Sequence, residues 1–430
     1  MQNSATQNIE IKKPSVQYFE VIDGLRGSSM LMTIMNHMFF LQILKIPVVF
    51  AHFGLHGFFI LSAFLISSIL YKEKEKFGVY KPYVKNFYIK RILRIFPVYF
   101  LYLFAVLMLG LATKGTPLQA PLGIIYDLKH YGWMLITFTF NYRELYSWLI
   151  NESHLRCMFF PHLWSISLEE QFYLVAPTLV FFFRKETIKK IAIASIIIYP
   201  FFRFFGYLYL LNDVKMISPF TVDGHDELSA LYDFFYRSSL FQFDAFMYGI
   251  LIPLVSYDNR KVLRWIVIIS FFTLLASQLY NIIDLAHDSG RPILQVANHA
   301  DVIMRNGQFG YINTLYNILG ASLFYYLLKF PDSSIQKPLR FSFFKNCGRI
   351  VYGIYVYHPI FIMITLVLYN LFFSMISKEV GDMFIVKLFA DIGAVAFCFT
   401  TTYYVCKLSF YKFEMPFLLL KAKRSEQKKI

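Results

Sequence analysis

The chain of 430 residues is poor in charged side chains and in cysteine. Asp, Glu, Lys and Arg supply 16% of it, whereas 57% is hydrophobic and 20% aromatic. Soluble domains carry roughly 25% charged residues, so this composition argues against a soluble globular protein. The four cysteines show no metal-ligand spacing and only Cys157 falls in a predicted external loop. We therefore expect neither a metal site nor a disulfide framework.

The sequence also lacks a recognisable cleavable signal and an internal repeat. Residues 1–20 are polar and mixed in charge, and the first apolar run is too long for a signal peptide and has no small-residue cleavage site. We therefore expect the N-terminus to be retained. The missing repeat argues against transporters that are built from duplicated halves.

The apolar residues form runs of about 20 residues, the length of a helix that crosses a bilayer. The sequence thus predicts an all-α, polytopic integral membrane protein with about ten transmembrane helices. A further apolar piece around Trp133 to Phe140 is too short to cross and is expected to be re-entrant or interfacial. The ten predicted spans are about 28–46, 51–71, 92–113, 163–183, 188–211, 234–256, 263–283, 309–329, 349–373 and 384–407.

The net charge of +15 comes from lysines and arginines at the ends of the apolar runs. With the N-terminus inside, most of the 42 basic residues fall in the inner segments. Because cytoplasmic loops are enriched in Lys and Arg, this predicts that both termini are cytoplasmic. The basic residues do not cluster on one soluble face, so we expect contact with membrane lipids and none with nucleic acid.

Ionisable side chains inside a span are costly and are therefore functional candidates. Arg26 and His37 are eleven residues apart, which places them on one face of the first helix, about 16 Å apart along its axis. Arg26 is predicted at the cytoplasmic mouth and His37 near the middle of the bilayer. An imidazole can accept a proton from a hydroxyl group near neutral pH. The alternative is a buried histidine that is satisfied by a neighbour.

Arg91 and Arg94 form a second cationic pair, on one face at the start of the third span. Guanidinium groups suit phosphate recognition because their donors form a planar fork. Three arginines at an inner mouth, with His37 three turns deeper, suggest an anionic and elongated cytosolic ligand such as a pantetheine-linked thioester. It remains open whether Arg91 and Arg94 only follow the positive-inside rule.

Two carboxylates open the fourth predicted span. Glu169 or Glu170 could orient an imidazole or bind an incoming hydroxyl group. Ser167 followed by Glu170 also fits a capping box at a helix start, which would make the pair structural.

Three further places carry polar side chains in predicted spans. His358 is a functional candidate beside a helix-distorting proline. Asp244 is another candidate, although Arg237 in the same span could neutralise it. His52 and His56 have a spacing that could bind a metal, but no third ligand is evident.

These residues resemble the motifs of the acyltransferase-3 family, which includes O-antigen and other surface polysaccharide acetyltransferases. IDGLRG at 22–27, followed by His37, is similar to the family's opening motif of an arginine, ten residues and a histidine. Further segments follow in the family's order, namely HGFFILSAFLI at 56–66, RILRIFP at 91–97, WSISLEEQFYLVAP at 164–177, FDAFMYGIL at 243–251, GRIVYGIYVYHP at 348–359 and FEMP at 413–416.

The resemblance covers 18–416, between a predicted cytoplasmic tail at 1–17 and a basic cytoplasmic tail at 417–430. It implies transfer of an acyl group, usually acetyl, from cytosolic acetyl-CoA to a hydroxyl of an extracytoplasmic glycan or lipid-linked saccharide. It also implies an integral protein of the bacterial inner membrane.

The resemblance further suggests a role for each candidate residue. His37 would act as general base or acyl relay, and Glu169 occupies the family's principal glutamate position. The cationic residues of the donor site would be Arg26, Arg91 and Arg94.

Two functions of other classes remain open. A transporter would use the intramembrane Arg, His and Asp residues as a substrate or proton path. A structural partner in an envelope assembly would tolerate replacement of these charged positions.

Overall fold

The computed structural model describes residues 20–40, 51–116, 123–149, 157–217, 234–290, 292–293, 309–381 and 383–426. The predicted tail at 1–17 lies outside these residues. Within them the regular structure is helical, as predicted, with no strand. The longer helices are α1 (Glu20–Phe40), α2 (Ala51–Phe77), α3 (Tyr80–Ala112), α4 (Ile124–Ile136), α5 (Arg143–Leu149), α6 (Leu163–Phe182), α7 (Lys185–Ile217), α8 (Ser239–Leu251), α9 (Arg260–Ser289), α10 (Phe309–Lys329), α11 (Ser342–Arg349), α12 (Val351–Ser374), α13 (Phe384–Ser409) and α14 (Met415–Glu426).

Shorter elements lie between them. They are the 3-10 helices Phe140–Tyr142 and Ile252–Leu254, the single turns Gln336–Leu339 and Lys378–Gly381, and a π-helix at Phe410–Glu414 that joins α13 to α14.

Long apolar helices indicate an integral membrane protein. Among the described residues, five helical stretches are long and apolar enough to cross a bilayer. The ten crossings and the cytoplasmic termini remain predictions. These five stretches are His52–Phe77, Tyr80–Ala112, Arg260–Asp288, Val351–Ser374 and Phe384–Leu420.

Two predicted segments show how local sequence limits helix length. The first half of the apolar piece from Trp133 to Phe140 lies in α4, whose 13 residues extend about 20 Å and cannot cross a hydrocarbon core of about 30 Å. Helix α8 also has 13 residues, so it covers only part of the predicted span 234–256. It ends where Pro253 enters a 3-10 turn, because proline has no backbone N–H to continue the helical ladder.

Glycine contacts bring α1 against α11. A Cβ atom on Gly27 would overlap the carbonyl oxygen of Phe344, and one on Gly348 would overlap that of Asp23. The two backbones can approach this closely only because neither glycine has a side chain. Arg26, directly before Gly27, is therefore placed by contacts between main chains.

A buried ion pair joins α7 to α8. Both side chains are 0% exposed, and the Arg203 guanidinium donates to both carboxylate oxygens of Asp244 at 2.9 and 3.0 Å. It also donates to the hydroxyl of Thr314 on α10 at 2.6 Å. The expected pairing of Asp244 with Arg237 is wrong. Arg237 precedes the start of α8, so helical spacing does not apply to it, and it contacts Glu144 at 3.3 Å instead.

We expect Asp244→Asn to destabilise the fold by about 3 to 5 kcal/mol, because it leaves Arg203 buried without an anionic partner. The apparent Tm in detergent measures this loss. Asp332→Asn is the matched control, since it breaks the exposed pair between Arg260 and Asp332 at 2.6 Å. It should change the Tm little. Equal losses for the two variants would contradict a structural role specific to the buried pair.

Candidate active site

A cavity of about 280 Å³ lies between α1, α2, α3, α6 and α12. It brings together the three arginines and both carboxylates that the sequence indicated as functional. Asp244 does not line it. The polar residues that line the cavity are Arg26, Ser62, Arg91, Arg94, Ser165, Glu169, Glu170, Tyr173, Tyr352 and Tyr355.

The cavity arginines form no direct ion pair with any residue that the structure describes. Arg26 and Arg94 make no hydrogen bond or ion pair with any described residue, and the guanidinium of Arg91 packs over the rings of Phe87 and Tyr173 at 5.6 and 5.4 Å. The Nε atom of Arg91 is buried without a hydrogen-bond partner in this part of the chain. These guanidinium groups therefore keep unused donors for an anionic ligand.

The two glutamates lie well inside α6. Ser167 is also internal to the helix, where its hydroxyl donates to the carbonyl oxygen of Leu163 at 3.2 Å. The capping-box interpretation of Ser167 and Glu170 is therefore wrong, since a capping serine must precede the first turn. The carboxylate of Glu169 accepts a hydrogen bond from the Tyr173 hydroxyl at 3.2 Å. Glu170 has a buried Oε1 with no hydrogen-bond partner among the described residues.

Charge compensation in the cavity acts over longer distances than a salt bridge. Arg26 interacts electrostatically with Glu169, and Arg91 interacts with both Glu169 and Glu170. The site thus combines guanidinium donors with carboxylates that they do not directly engage.

Three imidazoles cluster beside the cavity. Nδ1 of His37 lies 2.7 Å from Nε2 of His358, with the rings stacked at a centroid distance of 4.9 Å. The His162 ring stands edge-on to His358 at 5.1 Å. The sequence did not identify His162 as functional. In the sequence, its position two residues before the WSISLEEQFYLVAP segment was the indication of function that it offered.

A proline determines the tautomers of two of these rings. Pro359 has no N–H, so it cannot donate to the carbonyl oxygen of Tyr355 four residues earlier. Nδ1 of His358 lies 2.7 Å from this oxygen, which can only accept, so Nδ1 carries the hydrogen. In the neutral ring Nε2 of His358 then accepts the hydrogen bond from Nδ1 of His37. The Nε2 atom of His37 is left with a free lone pair.

His37 itself does not line the cavity. Tyr355 lines it, and the Tyr355 ring lies 5.7 Å from that of His358, which in turn contacts His37. Arg26 lines the cavity, and His37 lies about 16 Å from that residue along the axis of α1. That one ligand contacts both residues therefore stays a prediction.

The two outer histidines of α2 have partners of their own. Nδ1 of His52 lies 2.6 Å from the Tyr236 hydroxyl, and Nδ1 of His56 lies 2.7 Å from the side-chain oxygen of Asn317. Asn317 also donates to Asp244 at 3.3 Å, which connects His56 to the buried ion pair of Arg203.

Residues 19–408 match the profile of the acyltransferase-3 family, which is described as an acyltransferase domain. The chain belongs to the acyltransferase-3 family. This acyltransferase-3 chain is 30% identical, over 178 residues, to proteins of Staphylococcus aureus strains COL, MSSA476 and MRSA252 that bear the name "Putative O-acetyltransferase". The match covers 39% of this chain and 26% of each relative, so the chain spans about a quarter of the length of these curated relatives. No solved structure matches it.

Cysteine labelling can test access to the cavity. We expect Ser62→Cys to react with a maleimide applied from the cytoplasmic face, and acyl-CoA to protect it, because Ser62 lines the cavity. The native thiols give a low background since all four are buried. Burial also raises the pKa of Cys157 to about 12, so little of the reactive thiolate forms at neutral pH.

The control is Ser67→Cys on the same helix, which is buried and does not line the cavity. Labelling of Ser62→Cys from the outer face alone would contradict the predicted orientation.

Proposed function

We propose that the protein transfers an acyl group, most readily acetyl, from cytosolic acyl-CoA to a hydroxyl of an extracytoplasmic or lipid-linked saccharide. The observation that carries this proposal is the cavity in which Arg26, Arg91 and Arg94 converge without an ion pair to any described residue. Family membership supports acyl transfer, and the apolar helices support a location in the membrane, proposed as the bacterial inner membrane.

The arginines would bind the phosphate groups of the donor. A guanidinium group offers donors in a planar fork that matches phosphate oxygens, and in a site shielded from water such a contact is strong. With its phosphates bound by the arginines, the donor would extend its pantetheine arm through the cavity and direct the thioester towards the histidines.

His37 would be the base of the reaction. Its Nε2 has the free lone pair, while Nδ1–H remains hydrogen-bonded to His358. When the acceptor hydroxyl attacks the thioester carbon, its proton passes to Nε2, and the departing thiolate of CoA takes up that proton afterwards. The bond to His358 would stabilise the imidazolium that forms in between. In the alternative route, Nε2 attacks the thioester itself and carries the acyl group to the acceptor.

Glu169 is proposed to place or activate the acceptor hydroxyl. Its carboxylate lines the same cavity as Arg26 and interacts with that charge. It would therefore also offset part of the positive charge of the site before the anionic donor binds.

The direct test is acyl transfer by His37→Ala. We expect the rate of transfer from labelled acetyl-CoA to surface glycan in membranes to fall by about 10² to 10⁴-fold, the usual contribution of a general base. His287→Ala is the matched control because His287 is an exposed histidine at the end of α9. Wild-type turnover by His37→Ala at normal expression would remove His37 from the mechanism. Saturable uptake that does not depend on acyl-CoA would favour a transporter instead.

The proposed role of the arginines in donor binding is tested by the KM for acetyl-CoA. We expect Arg26→Ala or Arg91→Ala to raise the KM for acetyl-CoA roughly 10- to 100-fold, the loss of one charge-assisted phosphate contact. Arg264→Ala, at an exposed position near the start of α9, should leave the KM unchanged.

S-acetyl-pantetheine, which lacks the nucleotide phosphates, distinguishes binding of phosphate from other roles. Wild type and the arginine variants should use this short donor equally well. An equal defect with both donors would show that the arginines do not act through phosphate.

A further inference from the structure

Two hydroxyl groups stand between the arginine cavity and the histidine cluster. Ser165 on α6 and Tyr355 on α12 both line the cavity, although they are only 3% and 8% exposed. The Tyr355 ring packs against His162 and His358 at centroid distances of 5.6 and 5.7 Å. The two residues thus form the part of the cavity wall that contacts the histidine cluster.

The two hydroxyls are hydrogen-bonded to each other and share one further acceptor. That acceptor is the main-chain carbonyl oxygen of His162, which lies 2.7 Å from the Tyr355 hydroxyl and 3.2 Å from that of Ser165. The pair has two hydroxyl hydrogens, and one of them is enough to hold it to the carbonyl. The other can turn to a ligand without detaching the pair from the protein.

We propose that Tyr355 and Ser165 are catalytic residues that bind the oxyanion of the tetrahedral intermediate in acyl transfer. This inference rests on the proposed function, and it adds the group that stabilises the reacting carbonyl. Hydroxyl donors of Ser and Tyr are suited to this role, because donors held in place in a site without water stabilise developing negative charge strongly.

Acyl transfer forms a carbon–oxygen bond and breaks a carbon–sulfur bond, while the proton of the acceptor hydroxyl ends on the sulfur of CoA. The acceptor oxygen forms a bond to the thioester carbon and its proton moves to Nε2 of His37. The π electrons of the carbonyl move onto its oxygen, which becomes the oxyanion and accepts the hydrogen bond of one hydroxyl of the Tyr355–Ser165 pair, while the other hydroxyl remains bonded to the carbonyl oxygen of His162. The oxyanion then re-forms the carbonyl, the carbon–sulfur bond breaks, and the CoA thiolate receives the proton from His37.

The surroundings keep the two donors in position. The Tyr355 ring is fixed by its contacts with two imidazoles, and Ser165 lies in the first turn of α6, where its hydroxyl reaches the carbonyl of His162. The donors need little reorganisation when charge develops, which is the condition under which such a site accelerates a reaction.

The test compares Tyr355→Phe and Ser165→Ala with neighbours that lack the proposed role. We expect each variant to lower kcat by about 10² to 10³-fold, the usual loss of one oxyanion donor, with little change in the KM or Kd for acetyl-CoA. Binding of acetyl-CoA and the apparent Tm show whether each variant is folded.

The matched controls lie on the same helices. Tyr357→Phe removes a hydroxyl that bonds to Ser409, and Ser167→Ala removes one that bonds within α6. Neither residue lines the cavity, and both variants should keep wild-type kcat. The proposal is overturned if Tyr355→Phe and Ser165→Ala keep wild-type kcat, or if they raise the KM with kcat unchanged. If the wild-type protein does not consume acetyl-CoA, the proposed function itself fails and this role fails with it.

Discussion

A charge inside a membrane protein must either be neutralised or be reserved for a ligand, and this constraint divides the arginines of the chain into two sets. Arg203 is fully buried and is neutralised by two hydrogen bonds to Asp244. Arg26 and Arg94 have no direct partner among the described residues and face a cavity instead. The first arrangement holds helices together. The second leaves guanidinium donors facing the cavity, where we propose that the anionic donor binds.

The contacts between helices explain why distant segments of the chain form one site. The close approach of α1 and α11 at Gly27 and Gly348 places Arg26 at the cavity. Helix α12 then connects the cavity to the histidine cluster, because Tyr355 and His358 are three residues apart and lie on one face of the helix. One turn of α12 thus separates the cavity wall at Tyr355 from His358, which contacts the proposed base His37.

The fold class and much of the candidate site could be predicted from residue type and spacing. The sequence predicts the helical class, and it identifies the arginines and glutamates that the structure brings to one cavity. Helical periodicity could not identify the partner of Asp244, because Arg203 lies on another helix and spacing describes neighbours only within one helix. The contact of His37 with His358 and the proximity of His162 depend on tertiary packing in the same way. The ten crossings were predicted from apolar runs and from the distribution of Lys and Arg, and five helical stretches of the described chain are long and apolar enough to cross a bilayer.

Pro359 has a consequence that its chemistry alone would not suggest. It contributes no ionisable or hydrogen-bonding side chain. The carbonyl oxygen of Tyr355, which it leaves free, nevertheless determines which nitrogen of His358 carries the hydrogen, and His358 in turn determines this for His37. The backbone thus determines which nitrogen of each ring carries a hydrogen and which can accept one. A substitution at Pro359 would therefore change the hydrogen positions on two imidazoles, although proline itself carries no ionisable group.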